Sequence, residues 1–216
     1  MAKKSKKSTV KHFTNFILID ASGSMESKAS EVIGGLKTLF QSIKDEAKQY
    51  PKNIVTTIVC DFSGAKDFKV LVNTSKVEEL TDDLANNYKT RGWTALYDAI
   101  GLGFKLIPEK QDCVFVNILT DGLENDSKEF NASDIKKLIS DAKSKNWVVT
   151  FMGTTQDAID NAVDLGISRG NTMQFADNNL GVVQASGTLS RSRVALYKSV
   201  VNDTSINYDT LLQDNS

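Results

Sequence analysis

The chain has 216 residues, with 26 Lys and Arg, 27 Asp and Glu, one His, two Cys and two Pro. One histidine excludes zinc sites built on a histidine pair, and two cysteines are too few for a four-cysteine zinc site or an iron–sulfur cluster. A chain of this length can bury a core that needs neither a disulfide nor a metal to fold. Because Cys60 and Cys113 each lie in an apolar run, we expect buried free thiols and a reducing, cytoplasmic location.

The two ends of the chain are polar and differ from the middle. Residues 1–11 carry five lysines and lack the apolar region of a secretion signal, so we expect a flexible lysine-rich tail. One domain is expected over residues 12–200, followed by a polar, frayed tail over residues 201–216. No apolar stretch reaches the roughly 18 residues that a membrane span needs. The sequence also lacks a basic helix and an aromatic RNA-binding signature, so we expect no specific nucleic-acid binding. We expect a monomer when the chain is alone, because the predicted domain needs no partner to complete it.

In the first half of the domain, apolar strand-like runs alternate with helical patterns, which is typical of an α/β fold with a mainly parallel sheet. The first strand is predicted over residues 13–20, and a long amphipathic helix then ends before Pro51. The second strand, residues 54–62, is predicted to form a hairpin with an antiparallel third strand over residues 67–72. Ser75 and Glu78 have the spacing of a capping box at the start of a short helix.

The second half continues the alternation and ends on a helix. The predicted helices are residues 94–107, 132–145, 156–165 and 178–200, and the predicted strands are residues 113–120, 147–152 and 173–176. The run over residues 113–120, CVFVNILT, is almost continuously apolar, as expected for a strand at the centre of a sheet.

Two predicted strands end in an aspartate at a turn, Asp20 in IDASGS and Asp121 in LTDG. In a parallel sheet, ligands bind at the carboxyl ends of the strands where the strand order reverses, and the two most apolar strands would flank that point. Two carboxylates placed side by side repel each other unless a proton or a cation is shared between them. Hydroxyls from Ser22, Ser24 and a third loop would complete an all-oxygen shell, which hard cations such as Mg²⁺ prefer.

Three motifs in this order resemble those of the von Willebrand factor A domain and integrin I domain superfamily. Residues 20–24, DASGS, resemble its D-x-S-x-S motif; residues 91–100, RGWTALYDAI, resemble its loop and helix with the metal-site threonine; residues 120–122 resemble its T-D-G. The resemblance covers roughly residues 11–200. It implies a Rossmann-like three-layer α/β/α sandwich of about six mostly parallel strands, in the order 3-2-1-4-5-6 with one antiparallel edge strand.

The resemblance also implies a metal-ion-dependent adhesion site. Its ligands, carried over position by position, are Asp20, Ser22, Ser24, Thr94 and Asp121. The hydroxyls would bind the cation directly, and the carboxylates directly or through water. The expected ion is Mg²⁺, with Mn²⁺ or Ca²⁺ as alternatives, and an Asp or Glu carboxylate of a protein partner would complete its shell. Trp93 stands where the family often has a small residue, so the rim is expected to be bulkier here.

The expected function is therefore a metal-dependent protein-binding module rather than an enzyme, with two alternatives open. A Mg²⁺-dependent phosphotransferase or phosphatase of a Rossmann-like class also places an aspartate after its first strand. Those that resemble haloacid dehalogenases need a second carboxylate two residues later, where Ser22 stands. The other alternative is a structural subunit whose metal site no longer functions, although the complete set of five oxygen side chains argues against it.

The segment after the second aspartate is open to two interpretations. Glu124, Asn125 and Asp126 could form a solvated polar loop, or they could contact a partner or a water near the metal. Asp61, at the end of the second strand, could extend the acidic edge, but a turn or a helix cap is the favoured expectation.

Overall fold

The structure is a computed structural model that describes residues 10–216. The predicted flexible tail at residues 1–11 therefore falls almost entirely outside the described residues. The described residues form one six-stranded sheet with helices on both faces.

The sheet has the predicted order, β3-β2-β1-β4-β5-β6. Its strands are β1 (His12–Asp20), β2 (Ile54–Phe62), β3 (Phe68–Thr74), β4 (Cys113–Leu119), β5 (Val148–Gly153) and β6 (Thr172–Gln174). All neighbouring pairs are parallel except β2 and β3, which form the predicted hairpin. The three-layer α/β/α fold class, the strand order and the antiparallel edge strand are therefore confirmed.

Helices cover both faces because the central strands are apolar on both faces. The helices are α1 (Ala29–Gln49), α2 (Asp82–Ala85), α3 (Leu96–Phe104), α4 (Ala132–Ser144), α5 (Gln156–Asp164) and α6 (Asn179–Asn202). Alternate residues of β1 point to opposite faces: Ile17 and Ile19 join the core beneath α1 and α6, whereas Phe16 and Leu18 join the core beneath α3, α4 and α5. Each apolar strand thus supplies two separate cores.

The predicted capping box is wrong. The segment after β3 contains a short 3₁₀ helix, Val77–Glu79, that has no side-chain cap. The hydroxyl of Ser75 lies 2.9 Å from that of Thr56 on β2, and Glu79 accepts a hydrogen bond from Thr74. The hydroxyl of Ser75, which the local pattern assigns to a helix cap, therefore pairs with the neighbouring strand instead.

The expectation of a frayed C-terminal end is also wrong. Leu211 and Leu212 are each 1% exposed and belong to the core that α1 and α6 share. The backbone N–H of Leu211 donates to Oδ1 of Asn171, and its carbonyl accepts from the hydroxyl of Ser192. Two leucines in a polar segment are enough to dock it, because each buries an entire apolar side chain.

Both cysteines are buried and free, as predicted. Burial raises the pKa of Cys60 and of Cys113 to about 12, so neither thiol is activated. Within residues 10–216, the structure contains no helix that is both long and apolar enough to cross a lipid bilayer.

Candidate metal centre

Four of the five predicted ligands form one chain of hydrogen bonds at the carboxyl edge of β1 and β4. Oδ1 of Asp20 accepts the backbone N–H of Ser22 at 2.7 Å. The hydroxyl oxygens of Ser22 and Ser24 are 3.1 Å apart, and the hydroxyl of Ser24 donates to Oδ1 of Asp121 at 2.6 Å. The two strand-end aspartates are therefore linked through the two serines between them.

Thr94 brings the fifth side chain from a separate loop. A Cβ placed on Gly122 would lie 3.4 Å from Oγ1 of Thr94 and 3.9 Å from Oδ2 of Asp20. Both oxygens therefore border the same space, which stays open because residue 122 has no side chain. Asn125 fixes this arrangement, since its side chain accepts the N–H of Thr94 and its own N–H donates to the Thr94 carbonyl, each at 3.0 Å.

Backbone hydrogen bonds hold the first two loops against each other. The N–H of Gly23 donates to the carbonyl of Gly92 at 3.2 Å, and the N–H of Arg91 donates to the carbonyl of Ala21 at 2.5 Å. Gly92 has φ +61°, a conformation that most side chains avoid, and a Cβ there would approach Oγ of Ser63 to 3.1 Å. The glycine before Trp93 thus allows the close approach that places the Thr94 loop beside the first.

The loop after Asp121 is partly exposed, but its acidic groups bind backbone N–H groups instead of pointing freely into solvent. Glu124 accepts the N–H of Tyr97 at the start of α3 and those of Asp126 and Ser127. The carboxylate of Asp98 on α3 in turn accepts three backbone N–H groups from residues 128–130, each at 2.8 Å. These reciprocal contacts fix the loop to the helix that begins beside Thr94.

The site is buried and strongly charged. Asp20 is fully buried, and this burial raises its pKa despite the hydrogen bonds that it accepts from Thr120 and Ser22. Lys28 is also buried, and its ammonium group donates to Oδ2 of Asp121 at 2.8 Å. Burial alone would lower the pKa of Lys28, but its hydrogen bonds to Asp121 and Asp177 outweigh this effect and raise it.

Several contacts around the site are not predicted from the sequence. Thr120 donates its hydroxyl to Oδ2 of Asp20 at 2.5 Å, and Tyr88 donates its hydroxyl to the Asp20 carbonyl at 2.6 Å. The carboxylate of Asp61, expected to serve a turn or a cap, instead forms an ion pair with Arg91 at 2.6 Å. Thr120 and Arg91 lie within the motifs at residues 120–122 and 91–100, which could have pointed to these contacts, whereas Tyr88 carries no local signal.

The chemistry of the side chains fits a hard divalent cation. Among the described residues, no three His, Cys, Asp or Glu side chains group into a metal cluster, so a cation here depends on hydroxyl ligands. The five side chains offer only oxygen, and Gly122 leaves space over Thr94 and Asp20. Ser24 is exposed while Asp20 and Ser22 are buried, so the cluster opens outward on one side.

The fold is shared with solved structures of low sequence identity. The pilus adhesin SpaC from Lactobacillus rhamnosus GG is 15% identical, with a TM-score of 0.65 over 93% of this chain and 32% of that chain. Proximal thread matrix protein 1 of the mussel byssus, with a zinc-occupied MIDAS motif, is 14% identical, with a TM-score of 0.61 over 87% and 46%. The vWF domain of the pilus tip protein Mfa5 from Porphyromonas gingivalis is 9% identical, with a TM-score of 0.63 over 87% and 97%.

These identities establish the fold alone. The chain spans about a third of the length of the adhesin and about half of the length of the mussel protein. No curated protein matches the chain in a sequence search. The family model of the von Willebrand factor type A domain, however, matches residues 16–190, which include all three motifs. The chain therefore belongs to the von Willebrand factor type A domain family.

Proposed function

We propose that the chain is a metal-dependent protein-binding module. One observation carries the proposal: three separate loops bring five oxygen-bearing side chains to one edge of the sheet. Four of them are linked by hydrogen bonds, and Thr94 and Asp20 border the space at Gly122. These five side chains are the proposed ligands, Asp20, Ser22, Ser24, Thr94 and Asp121. Mg²⁺ is the proposed ion, with Mn²⁺ and Ca²⁺ as alternatives, because the ligands are hydroxyl and carboxylate oxygens.

The charges at the site explain why partner binding would depend on the metal. Asp20, Asp121 and Asp177 outnumber the single ammonium of Lys28 that bonds to two of them, so the edge is negative by itself. A bound divalent cation supplies a coordination position that a carboxylate of the partner can fill. Without it, an acidic partner would meet a surface of its own sign.

Two exposed apolar side chains flank the proposed ligands and complete the binding surface. Trp93, next to Thr94, is 70% exposed, and Leu123, two residues after Asp121, is 44% exposed. Large apolar and aromatic side chains at the centre of an interface often contribute most of its affinity. We propose that Trp93 and Leu123 both contact the partner beside its carboxylate. We also propose that the protein works in the cytoplasm, where its two buried thiols would stay reduced.

Thermal unfolding tests whether the site binds an ion. After EDTA treatment and dialysis, Mg²⁺, Mn²⁺ or Ca²⁺ at 100 times its Kd should stabilise the fold by about 2.7 kcal/mol, which raises Tm by about 5–10 °C. Thr94→Val removes one hydroxyl ligand at nearly constant volume and should remove most of this shift, whereas Thr94→Ser keeps the hydroxyl and should retain it. An unchanged wild-type Tm with all three ions, or an equal shift in Thr94→Val, would contradict the proposal.

A pull-down tests whether a partner protein binds through the ion. Proteins captured in Mg²⁺ should be lost in EDTA and should not be captured by Thr94→Val. Capture that is equal in Mg²⁺ and EDTA would contradict a metal bridge. Hydrolysis of p-nitrophenyl phosphate that Thr94→Val reduces would instead favour the phosphatase alternative.

A further inference from the structure

Lys28 is a buried lysine whose charge has no role in the ligand set described above. It ends the short 3₁₀ helix Gly23–Lys28 and is 3% exposed. Lysine is rarely buried unless it is paired, because removing an ammonium group from water is costly. Acceptor groups close to the Lys28 ammonium must therefore compensate for the burial of this charge.

The ammonium of Lys28 has three acceptors, and all of them belong to the edge where the ion is proposed. It donates to Oδ2 of Asp121 at 2.8 Å, to Oδ1 of Asp177 at 2.7 Å and to the carbonyl of Ser24 at 3.1 Å. An ammonium group has three donors, so its hydrogen-bonding capacity is fully used. The side chain is therefore held in one position and is not a mobile surface lysine.

The two carboxylate partners of Lys28 are unequal. The side chain of Asp121 is 3% exposed, whereas that of Asp177, just before α6, is 65% exposed. Solvent screens the exposed pair, so the contact with Asp121 is the stronger one. Because Ser24 donates to Oδ1 of the same carboxylate, Asp121 is shared between a proposed hydroxyl ligand and a fixed positive charge.

We infer that Lys28 is a built-in counter-charge that sets the metal affinity of this site. The inference rests on the proposed function. With Lys28 in place, the two strand-end aspartates and the ammonium carry one formal negative charge instead of two. A divalent ion is then attracted less strongly, while Asp121 stays held in the position from which it would bind the ion.

Replacing Lys28 should therefore tighten ion binding while it weakens the fold without an ion. Lys28→Met keeps the length of the side chain and removes its charge, and Mg²⁺ is the probe. Even in bulk water, a unit charge within several ångströms of a divalent ion changes its binding constant by about tenfold. We expect the Kd for Mg²⁺, measured by calorimetry, to fall by about tenfold or more, and the Tm in EDTA to fall as well, since Asp121 loses its partner.

Three further variants distinguish charge from packing. Lys28→Gln keeps a hydrogen-bond donor without the charge, so it should also tighten Mg²⁺ binding and replaces Lys28→Met if that variant does not fold. Lys28→Arg keeps the charge and should bind Mg²⁺ like the wild type. Asp177→Asn leaves the contact between Lys28 and Asp121 in place and should change the Kd by less than about threefold. Circular dichroism checks that each variant is folded.

The results separate this inference from the proposed function. Equal or weaker Mg²⁺ binding by folded Lys28→Met or Lys28→Gln, with clear binding by the wild type, would overturn the counter-charge alone. Absence of divalent-ion binding in every chain would overturn the proposed function and this inference together. Tighter binding by both uncharged variants, with wild-type behaviour of Lys28→Arg, is the result that supports the inference.

Discussion

At the scale of single residues, Glu124 fixes the loop that follows the second aspartate. Its Oε2 accepts the N–H of Tyr97 at 2.9 Å and the hydroxyl of Ser127 at 2.7 Å. Its Oε1 accepts the N–H groups of Asp126 and Ser127 at 2.9 and 2.7 Å. The loop beside Thr94 therefore keeps its shape through one carboxylate, whose contact with Tyr97 spans 27 residues and leaves no local pattern.

Glu124→Ala should destabilise the fold and loosen the proposed site. The change leaves three partly buried N–H groups without an acceptor, so we expect the free energy of unfolding to fall by about 2 kcal/mol in urea denaturation. The Mg²⁺-induced rise in Tm should shrink as well, because the loop that holds Thr94 becomes less fixed. Glu129→Ala, an exposed position in the same loop, should change stability by less than about 0.5 kcal/mol. Equal effects of the two changes would contradict this role.

Asp67 gives a pH-dependent contribution to stability. Its hydrogen bond from Arg91, assisted by the hydroxyl of Ser63, lowers the pKa of Asp67 from 3.8 to about 2. Because the folded pKa lies below the unfolded one, this stabilisation is present above pH 4 and is lost as the pH falls from about 4 to about 2. Neighbouring Asp61 behaves oppositely, since burial raises its pKa.

Asp67→Asn should therefore cost stability at pH 5 and progressively less towards pH 2. The measurement is the free energy of unfolding in urea for both chains across that pH range. Asp83→Asn, at an exposed position of α2, is the control and should not show this convergence. A difference between Asp67→Asn and the wild type that stays constant with pH would argue against the ion pair with Arg91.

At the scale of elements, a buried ion pair joins α1 to α6. Glu46 and Arg193 are 6% and 2% exposed and hydrogen-bonded to each other, and Arg193 also donates to Ser42 at 2.7 Å. The helical pattern of α1 predicts the buried positions Val32, Leu36, Leu39, Phe40 and Ile43, which are confirmed, but it places Ala47 rather than Glu46 inward. Neither helix shows this contact in its own sequence pattern, and only their packing shows that two charges meet between them.

Breaking this pair should be far more harmful than removing both charges. Glu46→Ala leaves the Arg193 guanidinium buried without its carboxylate, so we expect a loss of about 3–5 kcal/mol in urea denaturation. The double variant Glu46→Leu with Arg193→Met fills the space with apolar atoms and should lose much less. Asp45→Ala, on the exposed face one residue away, is the matched control. A double variant as unstable as Glu46→Ala would show that the pair contributes by packing rather than by charge.

At the scale of the whole molecule, the sequence predicts the features that depend on local patterns, namely the strands and the motif-bearing loops. The apolar runs predict all six strands, and the three motifs predict which loops meet at the sheet edge. Local patterns do not predict contacts between distant segments. Nothing in the sequence around Lys28 marks it as unusual, yet its ammonium contacts Asp121 and Asp177. The composition of the C-terminal segment predicts a frayed tail, because polar residues surround Leu211 and Leu212. Composition alone cannot show that these two leucines belong to the core.

The docked C-terminal segment predicts that stability and ion binding can be separated. Leu211→Ala should lower the free energy of unfolding by about 2–4 kcal/mol, because it leaves a cavity beneath α6. Gln213→Ala, exposed two residues later, should have little effect. The backbone contacts of Leu211 with Asn171 and Ser192 involve none of the proposed ligands, so the Mg²⁺-induced rise in Tm should persist in Leu211→Ala. Loss of that rise in a folded Leu211→Ala chain would mean that the C-terminal segment supports the site as well as the core.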